Sequence, residues 1–157
     1  MGDFSMARPH PLRRLMKTPL PTLTQQRSKQ FRPTNRHANE VYNLLNTYIF
    51  QNRLIRPPMY MGPWKGIWGM CVASFYPTRR GTKCWLKLSD KYYCVQWFVT
   101  IIAHEMVHQY EWDILEKPMT HRQSFFQWRE PLEYYNIPLK SWYCPTSWFK
   151  YQDITKC

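Results

Sequence analysis

At 157 residues, with 44% hydrophobic and 17% aromatic side chains, the chain has enough apolar surface for one well-cored domain of modest size. No run reaches the roughly 18 apolar residues of a helical membrane span, since the longest candidate, residues 95–107, is interrupted by His104 and Glu105, so a soluble protein with no membrane partner is expected. The net charge of +12 favours anionic partners, and five cysteines without a CxxC pair argue against both a disulfide framework and a four-cysteine zinc site.

Residues 1–34 hold five prolines and no acidic residue after Asp3, which reads as a basic, Pro-rich extended arm rather than a packed element. Residues 1–36 carry eight Lys or Arg against one Asp, so this segment holds more than half of the net charge. Arg13, Arg14 and Lys17 in such an arm would neutralise phosphates of a nucleic acid without reading its sequence, and Arg79 and Arg80 further along would extend the contact. The same charge also suits a solubilising tail or a targeting segment.

The compact part, residues 35–140, opens at Thr34 and Asn35, both good N-cap residues. Val41, Leu44, Leu45, Tyr48 and Ile49 follow the i, i+3, i+4, i+7, i+8 rule and predict an amphipathic helix ending near Asn52. Residues 57–62, 67–76 and 82–89, rich in aromatic and β-branched side chains and punctuated by Gly and Pro, predict three strands. The last two form a hairpin through PTRRG, whose tip carries Arg79 and Arg80. Residues 95–107 are apolar on nearly every side, the pattern of a helix buried within a domain. The expected architecture is α+β: a helix, a small three-stranded sheet, a buried helix, then a shorter helical stretch, HRQSFFQW.

The buried helix continues as TIIAHEMVHQYEW, which sets His104, Glu105 and His108 where ionisable groups are costly. Residues four apart on a helix point the same way, so His104 and His108 can hold one ion, and Glu105 lies about 100° around the axis, within reach of water on that ion. This is the HExxH zincin pattern. Zn²⁺ there would lower the pKa of bound water to roughly 7, and Glu105 would take its proton so that the hydroxide attacks a polarised peptide carbonyl. The competing reading, three satisfied core polar groups, needs a separate partner for each, at about 1–3 kcal/mol per unsatisfied group.

A third ligand is required. The metzincin extension HExxHxxGxxH fails, because residues 109–115 contain neither a Gly nor a His. His121, thirteen residues after His108 and past a helix stop at EKPMT, is the favoured candidate, with Glu130 and Glu133 as carboxylate alternatives. His10 and His37 read as ordinary surface histidines, and Trp64, Trp68, Trp142 and Trp148 as packing residues rather than base-stacking platforms.

TIIAHEMVHQYEW, the short spacer and HRQSFFQW together resemble the SprT-like zinc metalloproteases. The resemblance extends upstream through VYNLLNTYIFQNRLIRPP, GMCVASFY and CWLKLSD, covering about residues 35–139. It implies one catalytic Zn²⁺ on His104, His108 and His121, with Glu105 as general base, in a zincin-like endopeptidase acting on protein or peptide substrates. DNA-associated proteins are the substrate class the family suggests, with a cytoplasmic or nucleoid- or nucleus-associated location. Two departures stand out: Arg122 occupies a position where many relatives have Gly, and residues 141–157 read as a tail without the complete zinc ribbon many relatives carry, offering only Cys144 and Cys157. The alternative is a zinc-bearing nucleic-acid-binding or scaffolding protein without proteolytic activity.

Overall fold

A computed structural model describes residues 10–17 and 31–143. The fold is α+β, with a three-stranded sheet and several helices. In chain order the elements are α1 (Pro11–Met16), α2 (Asn35–Tyr48), β1 (Met59–Gly62), β2 (Gly69–Ala73), β3 (Cys84–Ser89), α3 (Val95–Gln109), α4 (Gln123–Phe126) and α5 (Arg129–Glu133). A π-helical turn, Tyr110–Ile114, prolongs α3. Among the described residues no helix is long and apolar enough to cross a membrane.

The reading of residues 1–34 as an unpacked arm does not hold for the part described. Pro11–Met16 is helical, with proline at its start, where a missing N–H costs nothing, and the His10 ring accepting from the Leu12 N–H at 3.2 Å. Leu12 and Met16 are buried in the core. Phe31 bridges to Tyr92 through two backbone hydrogen bonds of 3.0 and 2.8 Å. The signal was the short set Leu12, Leu15, Met16, at i, i+3 and i+4, obscured by the prolines around it.

Helix α2 begins as predicted, but its cap is reciprocal. Thr34 Oγ1 accepts from the His37 N–H at 3.2 Å while His37 Nδ1 accepts from the Thr34 N–H at 3.0 Å, so an imidazole takes the place usually held by Glu or Gln. The helix stops at Tyr48 rather than near Asn52, because Gln51 and Asn52 adopt left-handed φ values of 55° and 58° that reverse the chain. Tyr42 and Leu45 are buried on the face turned to α3, and Tyr42 donates to Gln109 Oε1 at 2.7 Å, which ties the two helices.

The sheet runs β1-β3-β2, with β1 parallel and β2 antiparallel to β3. The β2–β3 hairpin matches the expected one, with Gly81 at φ +83° in its turn. Cys71, Cys84, Leu86 and Leu88 are buried toward α3, while Tyr60 and Met70 lie exposed on the other face. Asp113 of the π turn accepts from the Lys83 N–H at 3.0 Å and from Gln109 at 3.1 Å, fixing the end of α3 against the start of β3. Side chains from Gln96 to Gln109 are buried throughout, so α3 is the central element, as its all-round apolar pattern implied. Trp68 packs among Tyr92, Tyr93 and Trp97 with ring centroids 5.3–5.7 Å apart, whereas Trp64 and Trp142 are exposed. Cys144, Trp148 and Cys157 lie outside the described residues.

Candidate metal centre

His104 and His108 stand one turn apart on α3, their ring centroids separated by 4.9 Å. The connection from the π turn to α4 brings back His121, whose Nε2 lies 3.2 Å from Nε2 of His108 and 3.3 Å from Nε2 of His104. Beneath them Phe125, fully buried, touches all three rings at centroid distances of 4.8–4.9 Å. Among the described residues these three histidines are the group of His, Cys, Asp or Glu side chains close enough to share an ion. Glu130 and Glu133, the alternatives for third ligand, lie exposed on α5, where Glu133 faces Arg129 at 3.9 Å.

Three imidazoles so close cannot all be charged. Burial holds His104 well below the ordinary histidine value, reinforced by His108 and His121, and burial lowers His108 and His121 as well. The rings are therefore neutral near pH 7, the state in which a ring nitrogen offers a lone pair. They are placed to bind one metal ion.

Glu105 is buried beside this cluster, and burial raises its carboxyl to about 8 while a hydrogen bond from the Cys71 N–H to Oε2, 2.8 Å long, opposes the rise. That amide belongs to a free edge. The hydrogen bonds Ser74 N–H to Lys83 O and Ser89 N–H to Trp68 O show that the even-numbered residues of the β2 strand bond to β3. Gly69, Cys71 and Ala73 therefore turn their backbone groups outward, and β2 is an edge strand. Gly69 is where strand and helix nearly touch. A Cβ on it would sit 2.6 Å from Ile101 Cγ2 and 3.2 Å from Glu105 Cγ, so only glycine permits this approach.

Glu111 was missed in the sequence. Fully buried, it accepts from His108 Nδ1 at 2.9 Å, from the Thr120 N–H and Oγ1 at 3.2 Å each, and from Ser124 Oγ at 2.5 Å. Its signal was the i+3 spacing from His108. Tyr143, assigned to the tail, also packs here, its ring 5.6 Å from that of His104 and its hydroxyl donating to Pro138 O at 2.8 Å.

The residues read as nucleic-acid contacts fall elsewhere. Arg13 lies on α1 with its guanidinium 4.4 Å from the Tyr134 ring, engaged in packing; Arg14 and Lys17 occupy the same short segment, and Arg79 and Arg80 are exposed in the β2–β3 turn. Comparison of the chain with protein-family models, with curated proteins and with solved structures found no match to any of them.

Proposed function

We propose that the chain is a zinc-dependent endopeptidase with a zincin-like core of the SprT-like type. The observation that carries this reading is the convergence of three Nε2 atoms, with edges of 3.2 and 3.3 Å, beside a buried glutamate on the same helix. Tetrahedral Zn²⁺ with bonds of about 2.0–2.1 Å to nitrogen has ligand–ligand edges of about 3.3–3.4 Å, which the two edges at His121 match, and three ligands, all within 4.8 Å of one another, leave a fourth position open. His104, His108 and His121 would hold it.

The ion, when bound, supplies positive charge that polarises a peptide carbonyl and acidifies water. The remaining tasks fall to the chain. Glu105 Oε2 is held by the Cys71 amide, which leaves Oε1 to take a proton from the attacking water and pass it to the departing amine nitrogen. The outward amides and carbonyls of Gly69 and Ala73 offer an extended substrate the pairing of an added strand, alongside the carboxylate. Arg79, Arg80 and the charge of residues 1–36 support DNA-associated proteins as substrates and a nucleoid- or nucleus-associated site of action.

Glu105→Gln is the test. The variant is expected to keep one zinc and to lose cleavage both of an unfolded protein substrate and of the chain itself. Cleavage undiminished in the variant defeats the role given to Glu105, and zinc uptake without cleavage by the wild-type chain leaves a zinc-bearing nucleic-acid-binding or scaffolding protein in place of the protease.

A further inference from the structure

We infer that Glu111 is the positioning residue of this centre: one carboxylate fixes the tautomer of His108 and, through the same two oxygens, ties down the turn that delivers His121. The inference rests on the metal-site part of the reading above and is independent of whether peptide bonds are cut.

A carboxylate accepts and cannot donate, so the 2.9 Å contact between Glu111 Oε1 and His108 Nδ1 requires the proton on Nδ1. In the neutral ring Nε2 is then bare, and it is Nε2 that faces His121. Without this partner the ring could place its proton on Nε2, pointing an N–H into the centre. A carboxylate behind a ligating imidazole also raises the basicity of the ring toward the ion.

The second half of the role concerns His121. Unlike His104 and His108 it is exposed and is not on a helix, standing two residues before the four-residue α4. What fixes its backbone is Glu111, bonded on one side of it to Thr120 through N–H and hydroxyl and on the other to Ser124. The backbone of Glu111 contributes too, its carbonyl accepting from the Lys117 N–H at 2.9 Å, so the chain leaving the π turn is held at both ends of the connection. Four donors on one buried carboxylate leave no oxygen unsatisfied, and the helix ligand and the loop ligand become a single unit. π-Helical turns recur at functional sites, and Glu111 occupies this one.

The test uses the full chain. Zinc affinity is measured by competition with a chromophoric chelator, and the imidazole tautomers by ¹⁵N NMR on chelator-treated protein at pH 8. The wild-type chain is expected to take up one zinc and, without it, to show His108 protonated on Nδ1. Glu111→Gln, with circular dichroism confirming its fold, is expected to bind zinc about 10–100-fold more weakly and to show a mixed His108 tautomer. Thr120→Val with Ser124→Ala releases the turn alone; it is expected to weaken zinc binding while the His108 tautomer stays unchanged, a split that a general loss of packing does not produce. Should Glu111→Gln fail to fold, the wild-type tautomer and the Thr120/Ser124 variant decide the matter. A wild-type His108 protonated on Nε2, or wild-type affinity in a folded Glu111→Gln or in the Thr120/Ser124 variant, overturns the inference alone. Absence of zinc uptake by the wild-type chain overturns the metal reading and this inference with it.

Discussion

The Cys71 amide and the Glu105 carboxylate meet at 2.8 Å, joining the outward edge of β2 to the middle of α3. In metal-free protein this acid stays protonated well above its ordinary range, since burial lifts it from 4.5 to about 8. Between those values the folded chain keeps a proton that the unfolded chain has released, so this group's contribution to stability falls as pH rises, by up to about 1.4 kcal/mol per pH unit. The three histidines act in the opposite sense: lowered from 6.5, they make stability rise with pH through that value, a slope that fades over about one further pH unit as the unfolded rings lose their protons. Urea unfolding of the chelator-treated chain from pH 6.5 to 8 is therefore expected to give a more negative slope of stability against pH than Glu105→Gln gives. Equal slopes for the two proteins rule out a raised Glu105.

Gly69 offers a steric test of the same junction. Its φ is not in the left-handed region, so Gly69→Ala acts through space and not through backbone strain: the new methyl meets Ile101 Cγ2 at 2.6 Å. Overpacking of this kind costs about 1–3 kcal/mol, and here it also pushes β2 away from Glu105. A fall in thermal midpoint together with reduced cleavage is expected, with recovery on adding Ile101→Leu, which removes the offending branch. If Gly69→Ala matches wild type in both assays, the close approach of strand and helix is wrong.

Much of the site was legible because it sits on a helix. The i, i+4 spacing puts His104 and His108 on one face whatever the rest of the chain does, and Glu105 follows from the same geometry. His121 could be proposed but not decided against Glu130 and Glu133, since loop closure depends on partners far apart in sequence. Glu111 escaped because its i+3 spacing from His108 does not by itself mark a carboxylate as buried; its other donors, Thr120 and Ser124, lie nine and thirteen residues away. The strands and hairpin were readable from turn residues, whereas the placement of β1 beside β3 was not, as a parallel pair leaves no short turn to betray it. The end of α2 was missed for a similar reason: Gln51 and Asn52 carry no glycine to advertise a left-handed turn.

The ligand set makes a direct prediction about zinc content. His121→Ala leaves two imidazoles and is expected to lose stoichiometric zinc on dialysis against a weak chelator, whereas Glu130→Gln and Glu133→Gln are expected to keep it. Those carboxylates are exposed on α5, outside the cluster. Elemental analysis of the three variants settles the third ligand; zinc retained by His121→Ala and lost from either glutamine variant would reverse the assignment.

Leu12 tests whether the N-terminal segment belongs to the folded unit. It is fully buried, although composition alone put it in an extended arm, and α1 packs against both α2 and α3. Truncating such a side chain removes its transfer energy and leaves a cavity, so Leu12→Ala is expected to cost about 2–5 kcal/mol. Arg14→Ala nearby, on an exposed side chain of the same helix, is expected to cost under about 0.5 kcal/mol. Chemical denaturation of the two variants separates the possibilities: a real α1 gives a large difference between them, and an undocked arm gives none. The comparison also bears on nucleic-acid binding. A docked α1 holds Arg13 against Tyr134 and leaves Arg14 and Lys17 as the more exposed cations of that segment, so if the chain binds DNA, as proposed above, the salt dependence of that binding is expected to fall more with Lys17→Ala than with Arg13→Ala.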